Sequence, residues 1–130
     1  KKLGKHRIRY TNNNNNEKKR FNNTNINATS SCISQCGNYS FIGFSNGTIQ
    51  KFNIQSGLLR ASTNDPHHIH FDSVTSVVSD LLNLYVISGS LDGSIKFWSL
   101  QQLNYQHTIE IESPIIQMEL QRESNLLIVV

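Results

Sequence analysis

A chain that repeats itself at a fixed spacing of tens of residues can fold only by stacking copies of one unit. This chain does so. Shifting Val74–Leu100 (VTSVVSDLLNLYVISGSLDGSIKFWSL) back by 46 residues lays it without a gap on Ala28–Ile54 (ATSSCISQCGNYSFIGFSNGTIQKFNI). Thr29 falls on Thr75, Ser30 on Ser76, Tyr39 on Tyr85, Gly43 on Gly89, Gly47 on Gly93, Ile49 on Ile95 and Phe52 on Trp98. Within the second copy, Val74–Val78, Leu84–Ile87 and Ile95–Trp98 are short apolar runs rich in β-branched and aromatic residues, the composition of strands. Leu82-Asn83 breaks the first pair and Asp92-Gly93 the second, and both Asn and Gly tolerate the left-handed backbone a tight turn needs. The unit reads as an antiparallel meander.

A fourth strand completes each unit: Leu58–Ser62 after the turn Gln55-Ser56-Gly57, and Tyr105–Ile109 in the second copy. Four strands per period of about 40–50 residues is the pattern of a β-propeller. The expected fold is therefore all-β, a propeller fragment of about two and a half blades of four-stranded antiparallel sheet. The blades are expected over residues 28–66, 67–112 and, truncated, 113–130; the third opens with Ile115–Leu120 and turns through Arg122–Asn125. Pro114 punctuates the connection before it, since proline cannot donate to a ladder. A single blade cannot bury both faces of its sheet, so a chain of this length reads as an excerpt of a longer protein. No segment carries a 3.6-residue apolar stripe, and helix content is expected to be small.

Ahead of the repeats, residues 1–10 read as the outer strand of a preceding blade, with Leu3 and Ile8 as apolar positions. Residues 11–27, which contain the run Asn12–Asn16, read as an Asn-rich disordered insertion, because such a tract buries too little apolar surface to offset its ordering entropy. The formal net charge of +3 is unevenly placed. Residues 1–20 hold eight Lys or Arg against Glu17 alone, a net of +7, while the rest holds four basic and eight acidic residues, a net of −4. A basic arm on a mildly acidic body makes Lys18, Lys19 and Arg20, then Lys1, Lys2, Arg7 and Arg9, the candidate RNA phosphate contacts; a merely solvated arm is the alternative. Cys32 and Cys36 are too few for a disulfide framework and read as thiols. No run approaches 18 apolar residues, so no membrane contact is expected. The four N-x-[ST] sequons, at Asn22, Asn27, Asn38 and Asn46, are what an Asn-rich chain produces by chance.

One constellation carries chemistry of a structural kind. His70 before the first strand of the second unit, Ser88 on its second, Asp92 in the following turn and Trp98 on the third resemble the WD repeat. In that pattern Asp92 accepts from the His70 ring, whose other nitrogen meets Ser88, which in turn faces the Trp98 indole N–H. Trp98-Ser99 stands where the repeat usually has Trp-Asp, and Ile69-His70 where it has Gly-His. The same His, Ser and Asp do not make a nucleophilic triad, because Gly89-Ser90-Leu91-Asp92-Gly93 is a turn without the G-x-S-x-G elbow. No catalytic residue is expected. His67, His68 and His70 lack Cys or carboxylates at zinc-site spacing, and Cys32-x-x-x-Cys36 lacks a second pair, so no metal is expected either. The glycines never assemble a phosphate-binding loop. Neither a cofactor nor a small-molecule substrate is implied. Tyr39, Phe41, Phe44 and Phe52, at strand spacing, read as packing between sheets rather than as an RNA-stacking platform.

A closer resemblance rests on particular turns. Ile33-Ser34-Gln35-Cys36-Gly37-Asn38-Tyr39-Ser40-Phe41-Ile42-Gly43, then Asn53-Ile54-Gln55-Ser56-Gly57-Leu58-Leu59-Arg60, is similar to the large WD-repeat subunits of the UTP-B subcomplex, the U-three small nucleolar RNA-associated proteins. The C-G-N and N-x-Q-S-G turns are unusual among WD repeats. Ser88-Gly89-Ser90-x-Asp92-Gly93-x-x-Lys96-Phe97-Trp98 adds to it, as do Ser113-Pro114-Ile115 and Arg122-Glu123-Ser124-x-Leu126-Leu127. The match covers residues 28–130; the Asn-rich insertion and the His-rich connection depart from it. The resemblance implies a non-catalytic scaffold of the small-subunit processome, acting in the nucleolus in pre-rRNA processing and 18S rRNA maturation. It implies other WD-repeat subunits of UTP-B as partners, with pre-rRNA and small nucleolar RNA as further ones. A generic WD-repeat adaptor of the signalling or ubiquitin-ligase type is the alternative.

Overall fold

The computed structural model describes residues 25–121 and 126–130, and no described residue is helical. Ten strands follow one another: β1 Ala28–Ile33, β2 Tyr39–Phe44, β3 Ile49–Asn53, β4 Leu59–Ser62, β5 Val74–Ser79, β6 Tyr85–Ser90, β7 Ser94–Ser99, β8 Tyr105–Glu110, β9 Met118–Gln121 and β10 Leu126–Val129. They form two four-stranded sheets in the orders β1-β2-β3-β4 and β5-β6-β7-β8, and a two-stranded β9-β10 pair, antiparallel throughout. The all-β propeller fragment expected from the repeat is the fold observed. The expected strand and Asn-rich tract over residues 1–24, and the turn at Arg122–Asn125, lie outside the described residues. Asn27, placed by composition in the insertion, is hydrogen-bonded: its N–H donates to Ser45 Oγ at 2.9 Å and its carbonyl accepts from Ser45 N at 2.8 Å.

The 46-residue offset extends to register and backbone. Ser30 pairs with Gly43 as Ser76 pairs with Gly89, and the ladder slips between Lys51 and Phe52 as it does between Phe97 and Trp98. Every left-handed residue of the first sheet recurs in the second: Gly37 (φ 75°) as Asn83 (61°), Gly47 (86°) as Gly93 (85°), Gly57 (72°) as Leu103 (55°). The turns impose this backbone, and side chains conform to it.

Strand limits shift by one to three residues from the expected runs, and two of the shifts have a visible cause. β4 begins at Leu59 because the Leu58 carbonyl is used in closing the preceding turn, accepting from Asn53 N. β9 begins at Met118 rather than Ile115, whose N–H donates instead to Ser90 O of the neighbouring sheet.

The core lies between sheets. Phe41 and Ile49 of the first sheet bury against Val74, Val77, Val86 and Trp98 of the second, with Leu100 and Leu103 closing one end. Ile87 and Ile95 bury against Ile115 and Met118 of the third. Phe44 is buried as well, while Tyr39 and Phe52 are half-buried. Close approach requires glycine at one repeat position. A Cβ on Gly43 would fall 2.5 Å from Val74 Cγ1, and one on Gly89 would fall 2.7 Å from Ile115 Cγ2. Thr29 Oγ1 donates to Gly43 O and across to Val74 O, and Thr75 Oγ1 does the same toward Gly89 O and Ile115 O. Lys51, buried between sheets, donates to Gln101 O at 3.0 Å with its ammonium 4.0 Å from the centre of the Tyr39 ring.

Candidate functional site: a buried histidine network and the sheet end it holds

His70 ends the connection from the first sheet, and its ring enters the second sheet from the end where β6 turns into β7. The structure brings His70, Ser88, Asp92 and Trp98 together and adds Ser94. Trp98 Nε1 donates to Ser88 Oγ at 2.9 Å, and Ser88 Oγ lies 2.7 Å from His70 Nε2. On the other side, His70 Nδ1 lies 2.8 Å from Ser94 Oγ and 3.3 Å from Asp92 Oδ2. Ser94 in turn donates to Asp92 Oδ1 from both its backbone N–H (2.8 Å) and its hydroxyl (2.6 Å).

These distances assign one directional chain. Ser88 accepts from Trp98, so its hydroxyl hydrogen goes to His70 Nε2; Nδ1 then carries the ring proton and gives it mainly to Ser94 Oγ. Every donor in the chain has an acceptor, which is what makes a buried polar network stabilising rather than costly.

His70, Ser88 and Trp98 are each no more than 1% exposed. Burial disfavours the imidazolium and pushes His70 down to about 4, against the pull of Asp92. Burial also works to raise the Asp92 carboxyl, but the donors from Ser94 Oγ, Phe71 N and Ser94 N outweigh it and leave Asp92 below the ordinary carboxylate range. A serine with no accessible surface cannot attack a substrate, so the His, Ser and Asp here position a fold rather than a reaction. The first sheet has Ile42 and Phe52 at the places of Ser88 and Trp98. It keeps only the turn half of the arrangement, with Asn46 Oδ1 accepting from Thr48 N and Thr48 Oγ1.

The network fixes an exposed corner. Asp92 Oδ2 accepts from Phe71 N at 2.9 Å, Ser90 Oγ donates to Asp72 O, and Leu91 N donates to Ser73 O. Ile111 N donates to Gly93 O, so Ile111–Ser113 crosses the same turn. At that corner Phe71 is 89% exposed, the largest value among the described large apolar residues.

The three histidines of the connection diverge. His68 Nδ1 pairs with Asp65 Oδ2 at 2.7 Å and its ring stacks on Tyr105 at 4.1 Å; the His67 backbone N–H donates to Asp65 Oδ1; His70 is in the network. Among the described residues no three His, Cys, Asp or Glu side chains group as a metal site. Cys32 and Cys36 are free thiols. Burial pushes Cys32 up to about 12, and hydrogen bonds from Ser34, then Asn83, bring exposed Cys36 down to about 7. Lys1, Lys2, Arg7, Arg9, Lys18, Lys19 and Arg20 lie outside the described residues. Sequence reasoning missed Ser94, although the aligned repeats offered a signal: Thr48 stands two residues past Asn46 as Ser94 stands two past Asp92. It also missed Phe71, for which the sequence has no signal.

A family model described as the WDR36/Utp21 second beta-propeller domain matches residues 1–130. U3 small nucleolar RNA-associated protein 21 of Saccharomyces cerevisiae is 36% identical over 94 residues, 72% of this chain and 10% of that protein. Its homolog in Schizosaccharomyces pombe is 35% identical over 98 residues, 75% of this chain and 11% of that protein. WD repeat-containing protein 36 of Homo sapiens is 35% identical over 102 residues, 78% of this chain and 11% of that protein. The chain thus spans about a tenth of the length of the curated relatives it matches. Among solved structures, the RRP9 WD40 repeats superpose with a TM-score of 0.73 at 16% identity, covering 78% of this chain and 32% of that one. U3-55K superposes with a TM-score of 0.72 at 16% identity and the same coverage. At that identity the structural likeness shows the WD40 propeller fold alone.

Proposed function

Because the chain belongs to the WDR36/Utp21 family, matched along all of residues 1–130 by the model of that family's second propeller domain, we propose that it serves in ribosome biogenesis. It is a non-catalytic scaffold segment of the small-subunit processome, acting in the nucleolus in pre-rRNA processing and 18S rRNA maturation. The observation that carries this reading is the family match, together with relatives whose name states association with the U3 small nucleolar RNA. The buried network supports the non-catalytic part, since His70 and Ser88, the groups a reaction would use, are bonded within it and have almost no exposed surface. The mechanism is geometric: sheets locked face to face hold their end loops in fixed places for neighbours. Those neighbours are other WD-repeat subunits of the UTP-B subcomplex.

Gradient sedimentation of the tagged full-length protein tests the reading. Co-migration with particles containing the U3 RNA is expected; migration with a membrane fraction or a ubiquitin-ligase complex would sink it. The basic arm is proposed to contact pre-rRNA or small nucleolar RNA through phosphates, led by Lys18, Lys19 and Arg20. Replacing all three by Ser removes about three phosphate contacts and should flatten the log–log salt dependence of single-stranded RNA binding by about 2. An unchanged slope rejects their role.

A further inference from the structure

The corner built on Asp92 displays more apolar surface than its backbone needs. In the first sheet the equivalent corner has Asn25 where this one has Phe71, and Ser45 where this one has Leu91. One backbone bond of the frame recurs, Ser45 N donating to Asn27 O at 2.8 Å as Leu91 N donates to Ser73 O at 3.1 Å, while the Ser45 hydroxyl ties the first corner to Asn25 O and Ser90 Oγ ties the second to Asp72 O. Asn and Ser suffice to make the loop, so the 89% exposed Phe71 and the 38% exposed Leu91 are not demanded by folding. Nor is the Phe71 ring on a loose tether. Its own N–H, the carbonyls of Asp72 and Ser73 on one side and Gly47 O accepting from His70 N on the other hold the segment to both neighbouring turns. Ordering such a loop on binding costs little, which is the property of an interface anchor.

The charge displayed at this corner has one sign. Asp72 lies beside it in sequence, and Glu112 sits on the strap that crosses Gly93, held in a left-handed backbone at φ 66°. Both are exposed, and neither has an ion-pair partner among the described residues. Of the three Lys and Arg residues among the described residues, Lys51 and Lys96 are buried and Arg60 lies on β4. An aromatic face flanked by unpaired carboxylates attracts a cation and repels phosphate.

We propose that this corner, Phe71-Asp72 with Leu91 and Ile111–Glu112, is a docking surface for a cationic segment of a partner protein, an Arg- or Lys-rich stretch. A guanidinium or ammonium lies on the Phe71 ring and pairs with Asp72 and Glu112, while Leu91 and Ile111 receive its aliphatic stem. The proposal extends the scaffold reading above to one surface and rests on it in taking the partner to be a protein.

The probe is a nine-residue Arg/Ser peptide, titrated by fluorescence anisotropy into the purified full-length protein. Saturable binding that weakens with salt is expected. Phe71→Asn with Leu91→Ser, the residues the first repeat itself carries, should reduce affinity at least tenfold with the melting temperature unchanged. Asp72→Asn with Glu112→Gln should weaken binding and flatten its salt dependence. The idea is overturned if the peptide does not bind, if either pair of substitutions leaves affinity intact, or if the Glu/Ser counterpart binds equally. It is also overturned if a single-stranded RNA is what loses affinity in the Phe71 variant. Each of these results leaves the sedimentation outcome untouched, whereas loss of particle association with intact peptide binding falls on the scaffold reading alone.

Discussion

Ser88 Oγ stands between two buried rings, accepting from one and donating to the other, and nothing else within the sheet can take either part. Ser88→Ala leaves Trp98 Nε1 and His70 Nε2 unpaired in a dry interior. At roughly 1–3 kcal/mol for each of the two orphaned groups, the loss should be about 2–6 kcal/mol, read by denaturant unfolding. A loss below about 0.5 kcal/mol would show that the chain is not cooperative. His70 adds a pH dependence of known sign. Its folded pKa of about 4 lies below the ordinary 6.5, so between those values the unfolded chain binds a proton that the folded one refuses. Stability is therefore complete above about pH 6.5 and falls as pH drops toward 4, by roughly 3 kcal/mol in all. Asp92, also held below its ordinary value, adds a further loss as pH falls through the carboxylate range. His70→Asn should remove the slope between pH 6.5 and 4; an unaltered slope would place the titrating group elsewhere.

At the scale of elements, the device that stacks sheet on sheet is a missing side chain. Gly43 and Gly89 lie one repeat apart, and each admits the inner strand or its lead-in from the next sheet. Gly89→Val drives a branched side chain into Ile115 and Met118 and should cost about 1–3 kcal/mol through overpacking, while Ser90→Ala beside it touches only the Asp72 and Asp92 turn contacts. Thermal unfolding of the two variants compares them; a Gly89→Val protein as stable as the parent would show that the third sheet is free to move outward. The turns were legible at this scale, because Gly37, Gly47, Gly57, Asn83 and Gly93 are residue types that tolerate the left-handed backbone they adopt there. Leu103 was not, since a leucine at φ 55° follows the position of Gly57 rather than its own preference. Its burial at 3% exposure shows what holds it there, a place in the core between the sheets.

For the whole molecule, the governing quantity is how many sheet faces find a partner. On the second sheet Val77, Val86, Trp98, Leu100 and Leu103 are buried against the first. The same positions one repeat earlier are Ser31, Ser40, Phe52, Ile54 and Gly57, and Ile54 there is 47% exposed among the described residues. Repeat units gain much of their stability from such interfaces, in addition to what each contributes by itself. Residues 25–130 expressed alone should therefore self-associate through this face, and Ile54→Asp should shift them toward monomer in sedimentation velocity. A monomeric parent fragment would reject the argument.

The 46-residue offset, the turn residues and the strand composition pointed to the propeller fold and to the alignment of its repeats, and the likeness to the WD repeat named His70, Ser88, Asp92 and Trp98. These are properties of the chain itself: a period, a turn residue and a strand composition are written along the sequence whatever packs against them. What only the tertiary structure decided is which groups share space. It set Ser94 closer to His70 than Asp92 is, drew Lys51 into a sheet interface, and left Phe71 in solvent. Exposure and proximity belong to no residue by itself, because they depend on what the neighbouring sheet places against it.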